Sequence, residues 1–304
     1  MIHSERAKKF YWTKWGGTDL AGNKVRLPQY NWASLEFQEE AERIVRFWMD
    51  TGQDGMVIDA VNWYIDYTWE IGKQRLTHVI SGYGNTYLQP EGAGGFREDP
   101  VAWVTEGGWN SVQDYGLGIW WEKGSNVIVN AINNGDPRPI EQALRNYHDR
   151  VVAAGGVLYF QPPRFEQKEQ EQFGFIVLAC LGDLIQINYN PDQQLDPEST
   201  WFLKTKASHR ALQQLSVRRR VPTKADDKHY AFLRTAADGS ERILVVLNFQ
   251  PTDQNVEVDL SGVATEGLVE LRTGKRHERE TFFKVDLPAF GSRLFLVMNA
   301  KRPR

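Results

Sequence analysis

The sequence predicts a parallel α/β fold followed by a small antiparallel β-domain. Short apolar strands alternate with helical segments as far as Leu215, the order expected of a parallel sheet with crossover helices. From His229 onward the helical period disappears and only strand-like runs remain. A third observation bears on chemistry: the strand Met56 to Ile58 runs out directly into Asp59, and in a βα-barrel the carboxyl ends of strands carry catalytic groups.

The elements follow in order. Ser34 is a helix cap, and Glu36, Glu39 and Glu40 suit the positive end of the helix dipole. Phe37, Ala41, Ile44, Val45, Trp48 and Met49 recur at helical spacing, and Gly52 is the stop. The strand Met56 to Ile58 comes next. Tyr83 to Glu98 is rich in Gly, Asn and Pro and reads as a long loop. Val101 to Thr105 reads as a second apolar strand, with Glu106 directly after it. Helices are predicted over Asn126 to Asn133 and Ile140 to Ala153, a strand over Gly156 to Phe160, and a strongly apolar helix over Gln167 to Leu181. A strand at Leu184 to Tyr189 and a helix at Trp201 to Leu215 complete this part.

A linker is expected near Arg218 to Asp227, its three adjacent arginines reading as a solvated turn or helix end. The later strands are Tyr230 to Arg234, Arg242 to Phe249, Asn255 to Leu260, Val269 to Arg272, Thr281 to Val285 and Ser292 to Val297. Asp238-Gly239 is a hairpin turn between the first two.

Composition narrows the function. The 304 residues suffice for a large domain plus a small one. The net charge of −3, with both signs mixed, leaves no electrostatic footprint for nucleic acid or an anionic membrane. No stretch approaches the ~18 apolar residues of a membrane span. Met1 to Lys9 is polar and lacks the core of a secretory signal, so a cytoplasmic location is expected. Cys180, the single cysteine, excludes an intrachain disulfide and reads as a buried thiol. His78, His148, His209 and His229 lack metal-ligand spacing, and no phosphate-binding loop is present, so no metal or cofactor is expected. Eleven Trp and eleven Tyr fill a core and can also stack on sugar rings.

Asp59 and Glu106, each beyond a predicted strand, have the composition of a two-carboxylate glycosidase site, although capping or surface acids would give the same pattern. Longer motifs add to this. Leu27-Pro28-Gln29-Tyr30-Asn31, the phrase from Phe47-Trp48-Met49-Asp50 through Asp54 to Val61, Val104-Thr105-Glu106-Gly107-Gly108-Trp109, and Leu244 to Phe249 occur in that order. Together they resemble the α-amylase family of glycoside hydrolases from about Tyr11 to Val297. The resemblance implies a partial TIM (β/α) barrel over residues 1–217, comprising strands four to eight, and a C-terminal antiparallel β-sandwich domain over residues 228–300. It makes Asp59 the nucleophile and Glu106 the general acid/base. Trp63, Tyr64, Trp109, Gln161 and Arg164 become substrate-binding positions, and an oligosaccharide or polysaccharide becomes the substrate.

The chain departs from the family at several points. Val57 stands where the family has the arginine that holds the nucleophile. Gln161 stands where the third acid belongs, Phe160 replaces its histidine neighbour, and Asn62-Trp63 replaces a Lys-His pair. The family's first three strands lie ahead of Met1, and a barrel of five strands cannot close. A second copy covering the open barrel, an N-terminal segment repacked over it, or a longer gene of which this sequence is a fragment would each account for the missing strands. Two functions follow: a retaining glycosidase of weakened or altered activity, or a non-catalytic carbohydrate-binding or interaction protein on the same scaffold.

Overall fold

A computed structural model describes residues 2–4, 9–11, 13–18, 24–28, 31–58, 69–84, 86–91, 99–113, 117, 126–160, 162, 165–181, 184–185 and 195–298. Two compact units, Met1–Ser111 and Val112–Arg304, account for the chain.

The first unit opens with two antiparallel pairs, β1 (Ile2–Ser4) with β2 (Lys9–Tyr11) and β3 (Thr13–Thr18) with β4 (Lys24–Pro28). Helix α1 (Leu35–Asp50) forms as predicted. The Ser34 hydroxyl accepts from the Phe37 amide at 3.3 Å, and Gly52 follows the helix with φ +89°, a conformation that glycine adopts without cost. Ala41, Val45 and Met49 are its buried stripe, and α2 (Trp69–Ser81) packs on α1 and buries Leu76, Val79 and Ile80. An Arg75–Glu42 ion pair at 2.8 Å and a Tyr83–Asp50 hydrogen bond at 2.7 Å tie the two helices at their edges.

Between them runs β5 (Gly55–Ile58), which pairs in parallel with β6 (Tyr87–Pro90). Strand β6 lies inside the segment read as a loop. The glycines and asparagines around it mask a four-residue strand, and Pro90 at its last position is tolerated because little of the ladder follows it.

The apolar run Val101 to Thr105 is a helix, α3 (Pro100–Thr105), and this corrects the expected strand. Five apolar residues do not distinguish the two periods. The punctuation does: Asp99 caps the Val101 amide at 3.0 Å, Pro100 occupies the first turn, and Gly107-Gly108 turns the chain away. β7 (Ser111–Gln113) begins at the unit boundary.

The second unit starts with α4 (Val127–Asn134), capped by Asn126 and ended by Gly135 in the left-handed region. The predicted Ile140 to Ala153 helix is a continuous helical run. It consists of α5 (Arg138–Ala143), a π-helical turn (Leu144–His148) and α6 (Asp149–Ala153). Strands β8 (Val157–Phe160) and β9 (Leu184–Ile185) are parallel neighbours in the order β7-β8-β9. The intervening α7 (Lys168–Leu181) is buried continuously from Phe173 to Leu181. Helix α8 (Pro197–Ser208) starts earlier than its apolar pattern suggests, because Asp196 caps the Ser199 amide at 2.9 Å.

The expected linker instead begins in a strand and only its later part is turn. β10 (Val217–Val221) is the edge of a six-stranded antiparallel sheet. The other five strands are β11 (His229–Thr235), β12 (Arg242–Asn248), β14 (Gly267–Glu270), β15 (Arg276–Glu278) and β17 (Ser292–Met298). Their order is β10-β11-β12-β17-β14-β15. The pair β13 (Gln254–Asp259) and β16 (Phe282–Leu287) forms the second layer.

Alternation along the strands sorts the side chains. Ala231, Leu233, Leu244, Val246, Val256, Val258, Phe283, Phe295 and Val297 fill the space between the two sheets. Phe295 meets Phe283 edge to face at a centroid distance of 5.1 Å. Phe295→Ala is therefore expected to cost about 3–5 kcal/mol of stability, read by urea denaturation. The opposite face of the six-stranded sheet carries Tyr230, Phe232 and Arg234, all fully buried. Arg234 donates to the carbonyls of Leu181 at 3.1 Å and Gln213 at 3.2 Å.

The arginine run is thus part of a strand and not a turn, and of its three residues only Arg219 is exposed. The Arg218 side chain is 1 % exposed and reaches Glu141 and Asp149, each at 2.7 Å, while Arg220 lies over the Tyr230 ring at 4.2 Å. Among the described residues no helix is long and apolar enough to cross a membrane.

Candidate active site

In the first unit, the parallel pair β5–β6 sets the register Gly55↔Tyr87, Val57↔Gln89 and Ile58↔Pro90. The Glu91 amide then donates to the Ile58 carbonyl at 2.8 Å. Glu91, half-buried, is therefore the first residue beyond its strand and is locked against the last residue before Asp59. Asp59 itself lies outside the described residues, as do Trp63, Tyr64, Gln161 and Arg164.

Period-two alternation puts Tyr87, Gln89 and Glu91 on one face of β6 and Leu88 and Pro90 on the other. The Gln89 side chain is fully buried. Its Oε1 accepts from the Tyr87 hydroxyl, which accepts in turn from Ser111 Oγ at 2.8 Å. The strand end is braced from the far side as well. Asn110 Oδ1 accepts the Leu88 amide at 2.8 Å, and its Nδ2 donates to the Thr86 carbonyl. Val57, opposite Gln89, is 53 % exposed and brings no charge to this face.

Glu106 does not occupy a strand end. It is the exposed C-cap of α3, its amide bonded to the Ala102 carbonyl at 3.0 Å. Trp109 is 1 % exposed and packed on Trp103 at 4.9 Å between centroids, so it presents no open face to a sugar ring. Both expectations depended on the strand that proved to be a helix. The acid that follows the neighbouring strand β6 is Glu91, which the Gly, Asn and Pro content of Tyr83 to Glu98 conceals in the sequence. The available signal was Tyr87-Leu88-Gln89, an aromatic-aliphatic start in extended phase with Gly55 to Ile58.

In the second unit, Cys180 is fully buried, and burial pushes its thiol up to about 12, which leaves no thiolate for nucleophilic work. Among the described residues no group of three or more His, Cys, Asp or Glu side chains is placed to hold a metal ion.

Residues 220–294 match the family model described as Maltogenic Amylase, C-terminal domain. No curated protein matches the chain in sequence. Solved structures similar in fold include Amy13B of Eubacterium rectale, with 12 % identity, a TM-score of 0.66, and coverage of 90 % of this chain and 65 % of that one. The α-amylase from H. orenii has 13 % identity and a TM-score of 0.67, over 95 % of this chain and 72 % of that one. The α-amylase of Geobacillus thermoleovorans, complexed with acarbose, has 14 % identity and a TM-score of 0.65, over 93 % and 67 % of the two chains. The chain thus spans about two thirds of the length of these structures. The chain thus carries a match to a maltogenic amylase C-terminal domain over residues 220–294 and shares the fold of α-amylase structures, as the sequence resemblance implied.

Proposed function

We propose that the chain carries the two-carboxylate centre of a retaining glycoside hydrolase acting on oligo- or polysaccharides, with Asp59 as nucleophile and Glu91 as proton donor. The observation that carries this reading is the hydrogen bond from the Glu91 amide to the Ile58 carbonyl. It pins the residue after β6 beside the chain that continues into Asp59. Residues that follow neighbouring parallel strands, about 4.8 Å apart in their backbones, are within reach of the roughly 5–5.5 Å carboxyl separation that a retaining mechanism requires.

In the first half-reaction the Asp59 carboxylate attacks the anomeric carbon, and Glu91 passes its proton to the departing glycosidic oxygen. Glu91, now ionised, takes a proton from water. The resulting hydroxide equivalent attacks the same carbon and releases Asp59. The acarbose complex of the Geobacillus enzyme supports α-linked glucose units as the first substrates to try.

Val57 supports a second reading, a carbohydrate-binding protein without turnover. An apolar, exposed side chain stands where the family resemblance puts the arginine that holds the nucleophile. Incubation with maltooligosaccharides and aryl α-glucosides, with product sugars quantified, separates the two. The enzyme reading expects slow hydrolysis that Asp59→Asn abolishes. Saturable binding with no product, unchanged in Asp59→Asn, supports the second.

A further inference from the structure

We infer that α1 docks on a second copy of this chain, antiparallel and across a two-fold axis, through the face that carries Ile44, Phe47 and Trp48.

A surface helix needs one apolar stripe, and α1 has two. Ala41, Val45 and Met49 are buried within the first unit. Ile44, Phe47 and Trp48 recur at i, i+3 and i+4 on another side of the helix, and they are 47 %, 62 % and 49 % exposed. The Phe47 and Trp48 rings meet edge to face at 5.2 Å between centroids, which makes the exposed surface continuous. Single exposed apolar side chains are ordinary, but three together on one helix, two of them aromatic, mark a contact surface.

The charges select the occupant. Residues 35–42 hold four glutamates and no base, whereas residues 43–49 hold two arginines and no acid. A helix divided in this way complements itself in antiparallel order and repels itself in parallel order. Five acids against two arginines over α1 disfavour an anionic membrane. At the division stand Glu40 and Arg43, both exposed and ion-paired with each other within the helix. They lie one turn before Ile44 and Phe47, beside the apolar face. Exposed pairs of this kind contribute little, so little is lost when each partner is exchanged. A two-fold axis between them sets Glu40 of each copy against Arg43 of the other, an isologous contact. The same operation takes Ile44, Phe47 and Trp48 of both copies out of water.

The test is sedimentation equilibrium of the whole chain at rising concentration, and a monomer–dimer equilibrium is expected. A chain that stays monomeric up to about 1 mM overturns the inference and leaves the face to another protein or to a further segment of a longer chain. Phe47→Glu is expected to weaken dimerisation about 100-fold, because both copies lose the contact. Unchanged dimerisation in a folded Phe47→Glu protein overturns the inference. Should that variant fail to fold, as read by circular dichroism, two charge variants at exposed positions replace it. Arg43→Glu and Glu40→Arg each set like charges across the axis, and each is expected to weaken self-association about 10-fold. An equimolar mixture of the two is expected to form dimers with one copy of each. Variants that self-associate as tightly as the parent, or a mixture without mixed dimers, overturn the antiparallel pairing.

Discussion

Glu91→Gln is expected to lower kcat on maltooligosaccharides by 10²- to 10⁴-fold, the usual contribution of a general acid, while Glu106→Gln stays within a few-fold of the parent. The contrast follows from position. Glu91 follows a strand whose neighbour leads into Asp59, and its amide is fixed to the Ile58 carbonyl at 2.8 Å. Glu106 is the exposed end of a six-residue helix. A leaving-group series sharpens the result. Aryl glycosides with acidic phenols need little protonation, so Glu91→Gln should harm them far less than it harms maltooligosaccharides. Azide should then rescue turnover, because a small anion can replace the water that Glu91 no longer activates. A large loss in Glu106→Gln with a silent Glu91→Gln would reassign the proton donor to the residue that the motif alone suggested.

Arg218→Met is expected to cost about 3 kcal/mol at neutral pH and much less below pH 4, measured as urea denaturation at the two pH values. Burial pushes the carboxyl of Glu141 up, but hydrogen bonds from Tyr230 and Arg218, the Arg218 charge, and a bond from Arg145 outweigh it, so the group titrates below its ordinary 4.5. Asp149 behaves alike: burial raises it, and His148 together with Arg218 brings it below 3.8. Carboxyls held down in the folded state stabilise it above their unfolded pKa, and that stability is lost as the pH falls through the lowered values. With Arg218 gone, burial dominates and both groups resist ionisation, so the penalty is largest where they must be charged. Asp149 is about a third exposed, and water screens its share, so most of the cost falls on Glu141. An equal penalty at both pH values would mean that Arg218 acts through packing alone.

Much of the fold could be read from the sequence because its signals are local and redundant. Ser34 and Gly52 bracket an amphipathic stripe, and α1 forms between them. Asp238-Gly239 sits between two alternating runs, and the β11–β12 hairpin follows, with Gly239 at φ +70°. The motifs from Asp54 onward and in Leu244 to Phe249 were enough to name the family whose fold the chain shares. Other features needed the tertiary structure, each for a physical reason. Val101 to Thr105 is too short to display a period, and its helical state is set by Asp99, Pro100 and the packing of Trp103 on Trp109. Tyr87 to Pro90 becomes a strand because β5 supplies the hydrogen-bonding edge that its own sequence cannot provide. Arg218 is charged and would remain in water, except that Glu141 and Asp149, far from it along the chain, supply the matching charges that allow it to be buried. The sequence by itself determined where α1 begins and ends and which acid follows Ile58. The pairing of β5 with β6 decided which acid stands beside it, because a strand partner is chosen by contacts that no local pattern records.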